Sequence, residues 1–246
     1  MTNNNMYFIA NWKMFGDVKS LNSLNKVIKF SKIYQKNKFK LIYCPPYTLL
    51  SLFSKKLKNS NIELGAQNCH QEETSGPFTG SISPKMLKKI GVEYVIIGHS
   101  ENRATGETDL IINKKIKSSI KCGLKIIFCI GETLMQRKKN QTHRILNNQI
   151  IKGLKGINKT NNILIAYEPI WSIGTGIIPE KKDLEKNINF IKKKIKMKKL
   201  KVLYGGSVNP KNINNINQIS ELNGFLVGGA SQDPKKFIDI VKKTFK

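Results

Sequence analysis

Lys13, His99 and Glu168 each close a short apolar run: Phe8-Ile9-Ala10-Asn11-Trp12-Lys13, Tyr94-Val95-Ile96-Ile97-Gly98-His99 and Ile163-Leu164-Ile165-Ala166-Tyr167-Glu168. A carboxylate, an imidazole and an ammonium brought to one place are the parts of a proton-transfer site: a base, a ring that polarises, and a cation that steadies developing negative charge. Each also has a plainer reading. Glu168 could cap or pair with a neighbour before Pro169, a lone histidine is commonly a hydrogen-bonded core residue, and Lys13 is one of 40 lysines. Position favours chemistry for two of them. An apolar strand is a poor place for an unpaired ammonium, and a carboxylate beneath an apolar loop loses hydration, which raises its pKa and makes it a better base. The loop after Glu168 is Ile170-Trp171-Ser172-Ile173-Gly174-Thr175-Gly176. It could be a surface connection, but exposed Trp and Ile need something to cover, which suits a lid. Asn11 could orient Lys13 or bond backbone. Glu101 and Glu132 read as buried partners of cations, and Cys129 as a small buried residue.

Gly205-Gly206-Ser207 and Gly228-Gly229 follow two further apolar runs. Glycines there let backbone N–H groups approach an anion, and a short helix opening near Ser231 to Pro234 would aim its positive end the same way. One such pair is ordinarily a turn; two on neighbouring strands read as a phosphate site. The whole set suits proton transfer beside the carbonyl of a small phosphate ester.

The elements that must position these residues are legible as short β-branched or aromatic runs alternating with segments of helical periodicity. Strands are predicted at 6–12, 39–44, 62–67, 94–98, 125–130, 163–167, 201–204 and 224–227. Helices are predicted near 17–31, 47–58, 84–90, 107–121, 133–155, 180–198, 210–217 and 234–245. Strand followed by helix demands parallel pairing. Eight such units match a closed (β/α)8 barrel, eight parallel strands surrounded by helices, in one domain spanning residues 1–246; an open doubly wound sheet is the alternative. In a barrel the residues above all meet at the carboxyl ends of the strands, the face where barrels do chemistry.

Composition bounds the rest. With 246 residues and 39% apolar content, the chain can bury a sizeable core. The polar start and the lack of any long uncharged apolar run predict a cytoplasmic protein with no membrane partner. Cys44, Cys69, Cys122 and Cys129 form no Cys-x-x-Cys pair and have no histidines at zinc spacing, so reduced thiols and no metal are expected. The formal charge of +27 invites a polyanion. Only three of the basic residues are arginines, however, and without Arg forks or a stacking-aromatic array no specific nucleic-acid partner is expected.

The motifs together resemble the triosephosphate isomerase family. In order they are Asn11-Trp12-Lys13, Gly65-Ala66-Gln67-Asn68, Phe78-Thr79-Gly80, Gly98-His99-Ser100-Glu101, Cys129-Ile130-Gly131-Glu132, Ala166-Tyr167-Glu168-Pro169, Gly174-Thr175-Gly176, Tyr204-Gly205-Gly206-Ser207-Val208 and Leu226-Val227-Gly228-Gly229-Ala230-Ser231. The resemblance implies interconversion of dihydroxyacetone phosphate and D-glyceraldehyde 3-phosphate, in glycolysis and gluconeogenesis, without metal or organic cofactor. It implies Glu168 as the base, His99 as a neutral polarising imidazole, and Lys13 and Asn11 on the enediolate oxygen. Phosphate would meet the N–H groups of Gly174, Ser207, Gly228 and Gly229; Ile173 and Leu226 would close over the base, and Glu101 would support Lys13 and His99. A homodimer through the loop Cys69 to Thr79 is also implied.

Several residues depart from the family's pattern. Ser81 and Asn102 stand where the resemblance expects an interface Glu–Arg pair, which predicts a changed polar seam. Ile177-Ile178-Pro179 follows the lid glycines where a longer small or polar stretch is usual. Pro179 then either loses an N–H for Tyr204 or sits at the next helix's start, and either case predicts altered lid kinetics with intact chemistry. Phe15 replaces a usual Asn. Two other classes compete: an aldolase using Lys13 as a Schiff base, and a basic nucleic-acid-binding protein whose Lys-only contacts would collapse with salt.

Overall fold

The structure, a computed structural model, describes residues 6–34, 39–158, 161–196 and 200–245. Its strands are β1 (Met6–Asn11), β2 (Phe39–Cys44), β3 (Ile62–Ala66), β4 (Tyr94–Ile97), β5 (Lys125–Ile130), β6 (Ile163–Tyr167), β7 (Lys201–Tyr204) and β8 (Gly224–Val227). They pair in chain order, all parallel, and β8 returns to β1 through Phe8 opposite Phe225, closing the barrel. The open-sheet alternative is thereby excluded.

Side chains on a strand alternate between faces, and this alternation builds two apolar layers. Ile9, Ile42, Tyr94, Ile96, Ile127, Cys129, Leu164, Ala166, Leu203 and Leu226 fill the barrel interior. Their neighbours Phe8, Ala10, Val95, Ile97, Phe128, Ile163, Ile165, Tyr167, Val202 and Phe225 face outward to pack beneath the helices. Continuing the inward phase by two residues reaches Asn11 from Ile9, Gly131 from Cys129, Glu168 from Ala166, Gly205 from Leu203 and Gly228 from Leu226. The period that fills the core therefore also aims polar groups and glycines at one mouth. At the opposite end Glu63 accepts from Lys40, Lys125 and the Tyr94 hydroxyl.

The outer layer comprises α1 (Leu24–Ile33), α2 (Tyr47–Leu57), α3 (Pro84–Lys89), α4 (Ser100–Ala104), α5 (Asp109–Lys121), α6 (Leu134–Lys138), α7 (Thr142–Gly153), α8 (Lys181–Lys194), α9 (Ile213–Ile216) and α10 (Pro234–Thr244). Several boundaries correct the sequence-based ones. The segment at 17–31 opens as a 3₁₀ turn, Val18–Ser23, capped by Asp17. The single helix expected at 133–155 is two, because Asn140 turns into the left-handed region at φ +55. α9 is a four-residue remnant of the segment 210–217. The expected helix end near 198 lies outside the described residues. α8 buries Leu184, Ile188 and Ile191, the face its periodicity predicts. No described helix is long and apolar enough to cross a membrane.

Candidate active site

Glu168 is held by backbone on both sides. Its N–H donates to Ile130 O at 2.8 Å, and Gly205 N–H donates to Tyr167 O at 2.9 Å. Glycines make room for it. A Cβ on Gly131 would stand 1.8 Å from Glu168 O, and one on Gly205 would stand 2.6 Å from Glu168 Cγ. The side chain is buried, and its Oε2 has no hydrogen-bond partner among the described residues. Burial pushes the carboxyl above the ordinary range; His99, the Cys129 thiol and Lys13 pull it partly back, while Glu101 adds to the rise. The same burial, with Glu168 beside it, lifts the Cys129 thiol well above its usual value.

His99 lies two residues past β4 and caps α4 with its ring. Nδ1 accepts the Glu101 N–H at 3.2 Å, so in the neutral ring the proton sits on Nε2, which lies 3.5 Å from Glu168 Oε1. Arg103 fixes this corner, donating through Nε to Gly98 O and through Nη1 to Asp109, and reaching Cys129 O at 3.4 Å.

Lys13 sits just past β1 with φ +55, a strained conformation for a side-chain-bearing residue. Two neighbours hold it there. Asn11 Oδ1 accepts the Lys13 N–H at 3.1 Å, and Gln67 Nε2 donates to Lys13 O at 2.8 Å and to Cys44 O at 2.9 Å. Lys13 Nζ pairs with Glu101 Oε1 at 2.6 Å. Glu101 is a partner of a cation, as expected, but it is exposed rather than buried. Glu132 is buried, yet its direct partners are neutral donors, the Tyr167 hydroxyl and Trp171 Nε1, and not a cation.

One cavity of about 340 Å³ is lined by Asn11, Lys13, His99, Glu168, Ile173, Gly174, Ser207, Leu226, Gly228 and Gly229. Every candidate site residue thus meets there except Glu101, which touches Lys13 and His99 from behind. Gly228 lies against the Lys13 stem, where an added Cβ would be 3.6 Å from Cε, and Gly174 turns at φ +72 with open space where a Cβ would be. The 3₁₀ turn Gly229–Ser231 precedes α10, whose first N–H groups are occupied by Asp233, so that helix start is already capped by the chain itself.

Tyr204 meets the lid through Ser172. Its hydroxyl bonds Ser172 Oγ at 2.8 Å, while Ser172 Oγ donates to Ile177 O at 2.5 Å. Pro179 is buried just before the α8 cap residue Glu180, so it belongs to the helix start and takes no N–H away from Tyr204. Gly176 N–H donates to Ser207 Oγ at 3.0 Å, and that hydroxyl donates to Ser172 O at 2.8 Å.

Phe15, Asn209 and Gln232 also line the cavity and were not singled out as site residues by their sequence context. Gln67 was visible only as part of a motif; nothing in its own surroundings announced that it props Lys13. Among the described residues no three His, Cys, Asp or Glu side chains converge as a metal site would require, and all four cysteines are free.

A closed (β/α)8 barrel carrying a desolvated carboxylate, an imidazole and a lysine above its strands has the parts of a proton-transfer enzyme. The family model described as triosephosphate isomerase matches residues 6–244. A triosephosphate isomerase of Thermodesulfovibrio yellowstonii is 45% identical over 244 residues, covering 96% of this chain and 98% of that protein. The one from Aquifex aeolicus is 42% identical over 241 residues, covering 94% and 96%. The crystal structure of triosephosphate isomerase from Bartonella henselae superposes with a TM-score of 0.89 at 36% identity, covering 98% of this chain and all of that one. The chain belongs to the triosephosphate isomerase family and is an enzyme of that class.

Proposed function

We propose that Glu168, His99 and Lys13 carry the isomerisation of dihydroxyacetone phosphate and D-glyceraldehyde 3-phosphate, the activity of the family, in the cavity above the barrel. The observation that carries this reading is the carboxylate of Glu168, buried, with one oxygen unpartnered and the other 3.5 Å from His99 Nε2. From dihydroxyacetone phosphate, Glu168 removes a proton from C1, and the C–H electron pair forms the C1–C2 double bond as the carbonyl π pair moves to the C2 oxygen. His99 Nε2–H and Lys13 Nζ hold that oxygen, with Asn11 in support. The hydroxyl proton on O1 passes to O2, and Glu168 returns its proton to C2, leaving the aldehyde at C1. Atoms and electrons balance within the substrate and one carboxyl group.

Backbone N–H groups of Gly174, Ser207, Gly228 and Gly229 bind the phosphate, and Ile173 and Leu226 cover the base. Excluding water matters because an exposed enediol phosphate can eliminate its phosphate. A coupled isomerase assay tests the assignment: Glu168→Gln should lose about 10²- to 10⁴-fold in kcat, the range general-base groups supply. Turnover absent from the wild type would overturn the activity, and unchanged turnover in the variant would overturn the base.

The protein works as a cytoplasmic homodimer. Support comes from the apolar side chains left exposed around the loop Cys69 to Thr79 and the β1 loop: Met14 at 93%, Phe15 at 58% and Phe78 at 40%. Ser81 and Asn102 give the seam an uncharged pair in place of an ion pair. Light scattering at micromolar concentration should report twice the chain mass; a fully active monomer would contradict it.

A further inference from the structure

Trp171, the aromatic side chain of the lid, is held from two directions. Its Nε1 donates to Glu132 Oε1 at 2.9 Å, and the Arg137 guanidinium lies over its ring, 4.2 Å from the centroid. Each hold is itself anchored. Arg137 Nη2 donates to Asp183 Oδ2 at 2.9 Å. Glu132 accepts the Tyr167 hydroxyl at 3.1 Å, and the Tyr167 oxygen accepts from Asn187 Nδ2 at 2.8 Å. The amide is oriented by His143, whose Nε2 lies 3.0 Å from Asn187 Oδ1 and whose ring stacks on Phe190. With Asn187 donating to it, the Tyr167 oxygen sends its own proton to Glu132, whose carboxylate thus accepts from Tyr167 on one side and from the Trp171 indole on the other.

Both routes end on α8. Asp183 and Asn187 are four residues apart and share one face of that helix. α8 begins directly after Ile177-Ile178-Pro179, at the far end of the lid. The helix that receives the lid's last residues thus grips its aromatic side chain. We infer that Asp183 and Asn187 are positioning residues for the isomerisation, acting through Arg137 and through Tyr167 and Glu132 to fix the indole of Trp171 and with it the arc of the lid. This rests on the reading of residues 171–178 as a lid over the site.

The test uses the full chain with Asp183→Ala, Asn187→Leu, Arg137→Ala and the pairwise combinations. Asp183 and Arg137 are part-exposed, so the Asp183 and Arg137 variants should fold even where Asn187→Leu does not. Two readouts separate positioning from mere stability: inorganic phosphate released per isomerisation, and the ¹⁹F resonance of Trp171 in protein labelled with 5-fluorotryptophan. Trp12, buried and bonded through Nε1 to Ser231 O, is the internal reference. Each single variant should lower kcat/KM and raise phosphate loss per turnover by about three- to tenfold, the scale of one cation–π contact or hydrogen bond. Each should also shift or broaden the Trp171 resonance and leave that of Trp12 in place. Asp183→Ala with Arg137→Ala should be no worse than Arg137→Ala alone, whereas Asp183→Ala with Asn187→Leu should exceed both singles. Wild-type phosphate loss and an unmoved Trp171 resonance in the folded single variants, whatever their melting temperatures, would overturn the inference. A wild type without isomerase activity would instead overturn the functional reading.

Discussion

Gly205 and Glu168 share the top of the barrel so closely that a Cβ on the glycine would stand 2.8 Å from the carboxylate Oε1 and nearer still to Cγ. The glycine is the wall against which the Glu168 side chain rests. Gly205→Ala should push the carboxylate away from its working position. A displacement of about 1 Å at a reacting group costs on the order of 10²-fold, so kcat should fall by about that factor with the melting temperature little changed. Steady-state kinetics check this; a kcat within twofold of wild type would show that the carboxylate tolerates the shift.

The raised pKa of Glu168 has two consequences of opposite use. For catalysis, the base must be ionised, so kcat/KM should fall as pH drops through a value above that of an ordinary carboxylate. For stability, a carboxyl whose folded pKa lies above its unfolded one favours the folded state fully at low pH, and that contribution is lost as pH rises through the folded pKa. Glu168→Gln removes the term. The variant should therefore melt above wild type at neutral pH, and the gap should close as pH falls below the ordinary carboxylate range. Melting curves of both proteins across pH read the difference and cancel the similarly raised Glu132.

Lys13 depends on Gln67, which reaches from beyond β3 to hold the carbonyl of a residue in the left-handed region. Releasing about 1–3 kcal/mol of backbone strain would let Lys13 relax away from the cavity. Gln67→Met, which keeps the volume and removes both donors, should lower kcat/KM by about tenfold or more at that energy scale. Circular dichroism should report an intact barrel; wild-type kinetics in Gln67→Met would show that Asn11 alone suffices.

The barrel's strands were legible because one period of two does double duty. The alternation that buries Leu164 and Ala166 also carries Glu168 inward, so the strand positions and the burial of Glu168 emerge from the same pattern. What was illegible depends on contacts distant in sequence. α4 escaped notice because its cap is the ring of His99 rather than a Ser, Thr, Asp or Asn side chain. The break at Asn140 is one residue's φ inside an otherwise helical pattern. Gln67, Gly205 and the Arg137–Asp183 support act only through partners that folding brings near. Glu101 is exposed, which its neighbours in sequence do not indicate, because they say nothing of the open side of the loop. Phe15 lines the cavity mouth, and nothing in the structure explains why an aromatic ring stands there.

Lys211, Lys235 and Lys236 line a groove that continues from the cavity through Asn209, Gly229 and Ala230. Three lysines against Asp239 leave this groove net basic, which would draw a dianionic substrate toward the cavity. kcat/KM should decline as ionic strength rises and the Debye length shrinks from about 30 Å at 0.01 M to about 8 Å at 0.15 M. Replacing the three lysines with Gln should flatten that dependence without altering kcat. A salt-independent wild-type kcat/KM would remove the steering role.

On the proposed mechanism Glu168 moves a proton between two carbons by way of an enediolate. Isomerisation of dihydroxyacetone phosphate in D₂O, with mass analysis of the product, tests it most directly. The carboxyl proton exchanges with solvent between removal and return, so wild type should place deuterium on C2 of glyceraldehyde 3-phosphate. Glu168→Gln should lose exchange and turnover together. Product free of deuterium, or exchange at the wild-type rate in Glu168→Gln, would contradict the account.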